Sequence, residues 1–272
     1  KGWWLPWTQN NAFQALVQRM SGNFIGIKLY FCGMSKGHGF DLVAFGAHPD
    51  DVELFAGGTL AKSVAQGLRV AIVDLTRGEL GTRGTAETRK AEAAAAQGIL
   101  GVEHRENLDL GDGFFEVNEE TLRTVIEVLR RLRPLRVIAN ALSDRHPDHG
   151  RGAELIHRAA FLSGLPKIDT GQKAWRPQAV YHGIQDHWLN PDFVVDIEGY
   201  AEVKAQAIAA YATQFHRPDA DDTEPATPIS SPEFLEHLKA RDVAMGRFAG
   251  VKLGEGFQVK RPPAVEGLGV LG

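Results

Sequence analysis

One pattern, used twice, constrains this chain more than any other. At residues 41–51 the run Asp-Leu-Val-Ala-Phe-Gly-Ala-His-Pro-Asp-Asp carries an apolar stretch straight into one imidazole and two carboxylates. Leu42 to Ala47 is short, continuous and apolar, as a parallel strand covered on both faces must be, and Pro49 stops it. Asp-Asp-Val-Glu-Leu then leads into a helix, which puts Asp50 and Asp51 at a positive helix end. A second apolar run, Leu135 to Ala141, is followed by Ser-Asp-Arg-His-Pro-Asp-His-Gly at 143–150 and a helical pattern from about Arg151. Ligands of open α/β sheets bind beyond the carboxyl ends of strands. Two such ends side by side would gather His48, His146, His149, Asp50, Asp51 and Asp148 into one crevice.

The rest of the chain supplies the other parts of such a sheet. Thr59 to Gln66 reads as a helix closed by Gly67, and Arg69 to Leu75 as a strand. The polar, Gly-rich stretch 76–85 then lies at a strand end, as a rim loop over the crevice. Thr85 can cap a helix from Ala86 to Leu100. Asn118 to Arg133 is the clearest helix, with Leu122, Val125, Ile126, Leu129 and Leu132 on one face, Asn118 as cap, arginines at its negative end and Pro134 as its stop. Short strands at Val180 to His182 and Phe193 to Ile197, a helix from Tyr200 to Tyr211, a long loop at 217–232, a helix from Glu233 to Ala249 and a Gly- and Pro-rich tail complete the series. The alternation predicts an α/β fold, a Rossmann-like three-layer sandwich with a mostly parallel sheet and helices on both faces.

Composition excludes several function classes. A net charge of -4 and a pI near 6.2 offer no electrostatic case for nucleic acid or an anionic membrane surface. The single cysteine, Cys32, excludes an intramolecular disulfide framework and suits a reducing cytoplasm. No apolar run approaches the ~20 residues that span a bilayer. Residues 1–36 read as an N-terminal extension and 37–272 as one domain. The first 33 residues lack the features of a secretory signal, and Met34 is a plausible native start. An amphipathic helix from about Ala12 to Met20 is the other reading of that segment.

A catalytic zinc site keeps three protein ligands and one open position. His48, Asp51 and His149 are the candidate ligands, a nitrogen and oxygen set that suits zinc and would accept iron(II) or cobalt(II). Asp50 is then free to act as general base, His146 to donate a proton or stabilise an oxyanion, and Asp148 to orient His146. A lone His-Pro-Asp-Asp reads better as a turn in which Asp50 caps a helix; its repetition after a second strand favours the metal. The remaining histidines, among them His104, His157 and His182, lack a partner at ligand spacing and read as surface or cleft residues.

Ala47-His48-Pro49-Asp50-Asp51 together with His146-Pro147-Asp148-His149 resembles the LmbE-like (PIG-L) family of zinc-dependent N-deacetylases, which act on N-acetylglucosaminyl compounds. Gly84-Thr85 with Arg89, the segment 210–215, Thr227-Pro228 and the segment 250–257 resemble the branch that includes bacillithiol biosynthesis deacetylases. The resemblance implies the same ligand, base and acid roles. It adds Arg89 as a substrate contact, with a surface pairing to Glu92 as the plainer alternative, and Arg145 as a weaker one. Phe234 stands where relatives can carry a tyrosine near the oxyanion. The resemblance further implies a small N-acetylglucosaminyl substrate, N-acetylglucosaminyl-L-malate first among them, and a homo-oligomer, trimer or hexamer. The rivals are deacetylation of a chitooligosaccharide or mycothiol-type precursor, and a metal- or sugar-binding module without turnover.

Overall fold

The computed structural model describes residues 38–216, 224–265 and 267. The N-terminal extension and its boundary lie outside the described residues, as does part of the loop at 217–232. Among the described residues seven strands form one sheet in the order β3-β2-β1-β4-β5-β7-β6. They are β1 (Leu42–Gly46), β2 (Val70–Asp74), β3 (His104–Asn107), β4 (Arg136–Ala139), β5 (Ala179–Gly183), β6 (Phe193–Asp196) and β7 (Gly254–Gln258). The first five run parallel, and β7 lies antiparallel between β5 and β6. Among the described residues six α-helices cover the sheet: α1 (Asp51–Ala65), α2 (Ala86–Leu100), α3 (Glu119–Leu132), α4 (Pro147–Leu162), α5 (Ala201–Ala209) and α6 (Pro232–Ala249).

The continuous apolar strands serve two cores at once. Leu42 and Ala44 of β1, with Val70 and Ile72 of β2, pack under α1, α2 and α5; Val43, Phe45, Ala71 and Val73 face α3 and α4. Each fully buried aliphatic or aromatic side chain contributes ~1.5–3 kcal/mol. That is why the predicted three-layer arrangement forms. No helix among the described residues is long and apolar enough to cross a membrane.

Several elements depart from the sequence reading. α1 starts at Asp51 and runs unbroken through Gly57 and Gly58; glycine is required at 58 because a Cβ there would sit 2.9 Å from Ile197. α4 starts at Pro147, four residues earlier than its apolar pattern suggested. β3 had no strong strand signal. The Gly-rich tail supplies β7, where a Cβ at Gly254 would lie 2.4 Å from Val194, so close strand packing excludes a side chain. Arg130 does not merely complement its own helix end. It is buried and donates to the carbonyls of Ser163, Leu165 and Ile168 beyond α4.

β1 and β4 are neighbours, and the chain leaves them toward opposite edges of the sheet. Their carboxyl ends therefore flank the switch-point crevice, the standard ligand position in such sheets.

Candidate active site

The loop after β1 turns at His48, whose carbonyl accepts from the Asp51 amide at 3.3 Å. Asp50 then takes φ 116°, a region that favours glycine and costs ~1–3 kcal/mol for other residues. Its side chain makes no cap bond to α1. Instead Oδ2 accepts from Arg89 Nη2 at 2.7 Å, and the same guanidinium donates to the Pro49 carbonyl. Both residues are buried, at 4% exposure each. Arg89 thus fixes the one carboxylate that the strained turn keeps out of the helix cap.

The loop after β4 makes a similar turn, with the His149 amide donating to the His146 carbonyl at 3.1 Å. Here the helix starts sooner: His146 is the N-cap residue and Pro147 occupies the first turn. The His146 Nδ1 accepts from the Asp148 amide at 3.3 Å. The two loops meet. One nitrogen from each of His48, His146 and His149 lies within 4.8 Å of the others. Asp51 sits between two of them, with Oδ1 3.1 Å from His149 Nε2 and Oδ2 3.5 Å from His48 Nδ1.

A family model described as PIG-L: GlcNAc-PI de-N-acetylase matches residues 43–160, the stretch from β1 into α4 that carries both loops. The conserved protein TT1542 from Thermus thermophilus shares 36% identity and a TM-score of 0.75, over 83% of this chain and 97% of that one. This chain belongs to the PIG-L family. Diacetylchitobiose deacetylase of Thermococcus kodakarensis is 28% identical over 187 residues, 62% of this PIG-L chain and 67% of its own length. 4-Oxalmesaconate hydratase of Pseudomonas putida is 29% identical over 187 residues, 62% of this chain and 72% of its own. Family membership makes the chain an enzyme of the metal-dependent N-deacetylase type.

The donor set of this PIG-L chain fits a cation. Histidines that bind metals usually give their outer nitrogen to a carboxylate or carbonyl. His149 Nδ1 lies 2.6 Å from Asp144 Oδ2, and His48 Nε2 lies 3.0 Å from Asp112 Oδ1 and 3.4 Å from Asp148 Oδ2. The inner nitrogens are thereby aimed at Asp51. Burial opposes charge on all three groups, yet the result favours it. Asp112, Asp148 and Asp51 hold His48 well above the ordinary histidine value, Asp51 and Asp144 raise His149 to about 9, and the two rings hold Asp51 well below the carboxylate range. Positive charge is stabilised where a metal ion would lie.

Asp50 differs. Burial pushes its carboxyl up to about 7, against the opposing pull of Arg89. His146 is held below the ordinary value by burial and by the nearby His48 and His149.

Several expectations change. The Asp148 carboxylate does not bond to the His146 ring: it accepts from Gly113 N at 2.8 Å and Arg151 Nη1 at 2.6 Å, and faces His48. Helix geometry turns it toward the first loop. Arg89 does not pair with Glu92, which accepts instead from Thr213 N and Oγ1. Arg145 is half exposed and pairs with Asp186. His182, expected at the surface or in a cleft, is fully buried.

Sequence reasoning missed Asp112, Asp144, Asn140 and Gln185. Asn140 accepts from the Ala47 amide at 2.8 Å and donates to Asp51 Oδ2 at 3.0 Å, tying the two strand ends together. Gln185 donates to Asp51 Oδ1 at 2.7 Å. Asp144 and Asn140 lie within the second motif and could have been found there; Asp112 and Gln185 carry no local signal. The resulting cavity has a volume of about 260 Å³. Phe234 lines it and stacks on Phe215 at 6.0 Å, so no hydroxyl stands at that wall position.

Proposed function

We propose that this chain hydrolyses the acetamide of an N-acetylglucosaminyl small molecule, with N-acetylglucosaminyl-L-malate as first candidate, on the route to bacillithiol. The observation that carries the reading is the meeting of two ligand-bearing loops around Asp51, beside a buried carboxylate, Asp50, that caps no helix. His48, Asp51 and His149 would hold zinc, and iron(II) or cobalt(II) would suit the same donors. The ion would supply Lewis acidity and a water pKa lowered toward ~7.

The chain's own residues perform the proton transfers. Arg89 engages Oδ2 of Asp50, which leaves Oδ1 to take a proton from the attacking water. As water oxygen bonds to the acetamide carbon, negative charge grows on the carbonyl oxygen. His146 faces this position with Nε2, because Nδ1 is committed to the Asp148 amide. Burial and the nearby His48 and His149 rings hold His146 below the ordinary histidine value, and with Nδ1 accepting from the Asp148 amide its Nε2–H donates to the developing oxyanion. The C–N bond then breaks, the nitrogen leaves as an amine carrying the proton that Asp50 took from the water, and acetate is the second product. Asp148, Asp112 and Asp144 keep the ligand rings aimed.

The preference for the bacillithiol branch rests on the segments resembling it. Arg89, Gln214 and Thr227, from three of them, line the cavity. Arg145, at the same wall, is the candidate contact for an anionic aglycone. A second reading, hydration of a carbon–carbon double bond, is favoured by the likeness to the Pseudomonas putida hydratase. One experiment separates them. Purified protein is given N-acetylglucosaminyl-L-malate, diacetylchitobiose, the N-acetylglucosaminyl inositol of the mycothiol type and 4-oxalmesaconate, with and without chelator, while acetate and ultraviolet absorbance are followed. Chelator-sensitive acetate release, fastest with the malate conjugate, is expected. Turnover of 4-oxalmesaconate alone would replace the reading with the hydratase, and zinc-dependent sugar binding without acetate would replace it with a sensing module.

A further inference from the structure

The segment matched by the family model ends at residue 160, yet Asp51 is held by an amide from beyond it. Gln185 follows β5, and its backbone is held in turn from α6. Arg241 donates through Nη1 to the Gln185 carbonyl and through Nη2 to the Leu54 carbonyl in the first turn of α1. It is 4% exposed and borders the cavity. A buried guanidinium normally offsets its desolvation with a close carboxylate. The nearest one here, Asp242, lies 3.9 Å away and is engaged by Lys204 at 2.8 Å. Lys204 also meets Glu255 at 2.9 Å, and Glu255 accepts from the Gly58 and Thr59 amides in the middle of α1. The charge of Arg241 is therefore spent on two carbonyls from elements far apart in the chain. Both lead to the same ligand, one through the Gln185 amide and one through the helix that begins with Asp51.

We infer that Arg241 is a positioning residue for the metal centre, clamping α1 to the loop after β5 so that Gln185 can hold Asp51 in its ligating orientation. The inference rests on the ligand set of the preceding reading. Gln185 and Arg241 form one unit, so removing either should release the same restraint.

The test measures zinc affinity by competition with a chromophoric chelator, without substrate, in the full-length wild type, Arg241→Met, Arg241→Lys, Gln185→Leu and the Met/Leu double variant. Removing a group that orients a ligand typically weakens metal binding ~10–100-fold. Arg241→Met and Gln185→Leu should each do so, the double variant should bind little worse than the weaker single, and Arg241→Lys, which restores one donor, should recover part of the loss. Wild-type affinity in Arg241→Met, a lower urea midpoint with unchanged affinity, or losses that multiply in the double variant would overturn the inference. Should Arg241→Met not fold, Arg241→Lys combined with Gln185→Leu carries the same comparison. A wild type that takes up no zinc would overturn the metal reading and this inference with it, whereas absence of acetate release alone touches only the substrate.

Discussion

His-Pro-Asp occurs at the ends of β1 and β4, and the two copies do opposite things. In the first, α1 starts only at Asp51, so Asp50 bears a strained φ of 116° and its carboxylate is captured by Arg89. In the second, α4 starts at Pro147, His146 caps it without strain, and Asp148 is turned inside the helix to the back of His48. In the proposed reaction the first copy would contribute ligands and a base; the second would contribute a ligand, a proton donor and a brace for the other copy. A two-residue shift of the helix start redistributes the same three side chains. The lesson is that a tripeptide fixes the kinds of group available, while the point at which the helix ladder begins fixes their directions.

The strongest way to break this comparison is to truncate the two aspartates in turn. Asp50→Ala should lower turnover ~10²- to 10⁴-fold, the usual share of a general base, with zinc content unchanged by elemental analysis. Near-normal turnover would make the two copies equivalent after all.

The strand ends under the two loops should also differ in pH response. Asn140, at the end of β4, has its carbonyl 3.0 Å from Nδ1 of the buried His182, whereas Gly46 and Ala47 are tied by backbone and amide bonds. Burial lowers His182 from 6.5 to about 4. Between these values the unfolded chain binds a proton that the native chain does not, so stability falls as pH drops from 6.5 toward 4 and is flat above. The full loss attributable to this ring is ~3 kcal/mol. Urea unfolding of wild type and His182→Phe across that range should show the steeper loss of stability in the former.

Asp148→Asn should act on the metal rather than on the proton transfer, weakening zinc ~10–100-fold through loss of its hold on His48. A fall in turnover at saturating zinc with unchanged affinity would restore Asp148 to His146. The smallest effect concerns the backbone. Asp50→Gly and Asp50→Ala both lose the Arg89 contact, but glycine accepts the positive φ, so the Gly variant should be more stable by about 1 kcal/mol in urea. Equal midpoints would mean that the first turn is not strained.

Much of the framework was legible. The apolar strands β1, β2 and β4, the capped helices α2 and α3, and the two loops follow from local patterns because buried parallel strands and helix ends have strong local signatures. β3 and β7 were not, since His104-Arg105-Glu106-Asn107 is polar and Gly254-Glu255-Gly256 lacks the branched residues of a typical strand. Arg105 is polar for a reason visible only in space: it is buried against Asp74 and Glu53 at 2.8 and 2.6 Å.

By itself the sequence determined the chemistry on offer: which strands deliver side chains, that these are imidazoles and carboxylates, and that an α/β sheet presents them at one edge. Only the tertiary structure decided the partners. It set Arg89 on Asp50, Asp112 and Asp148 behind His48, and Asp144 behind His149, and it brought Gln185 to Asp51 across 134 positions of chain. The reason is range. Strand and helix signals act over a few residues, whereas hydrogen bonds of about 3 Å between distant segments depend on how whole layers pack, and no local pattern encodes that.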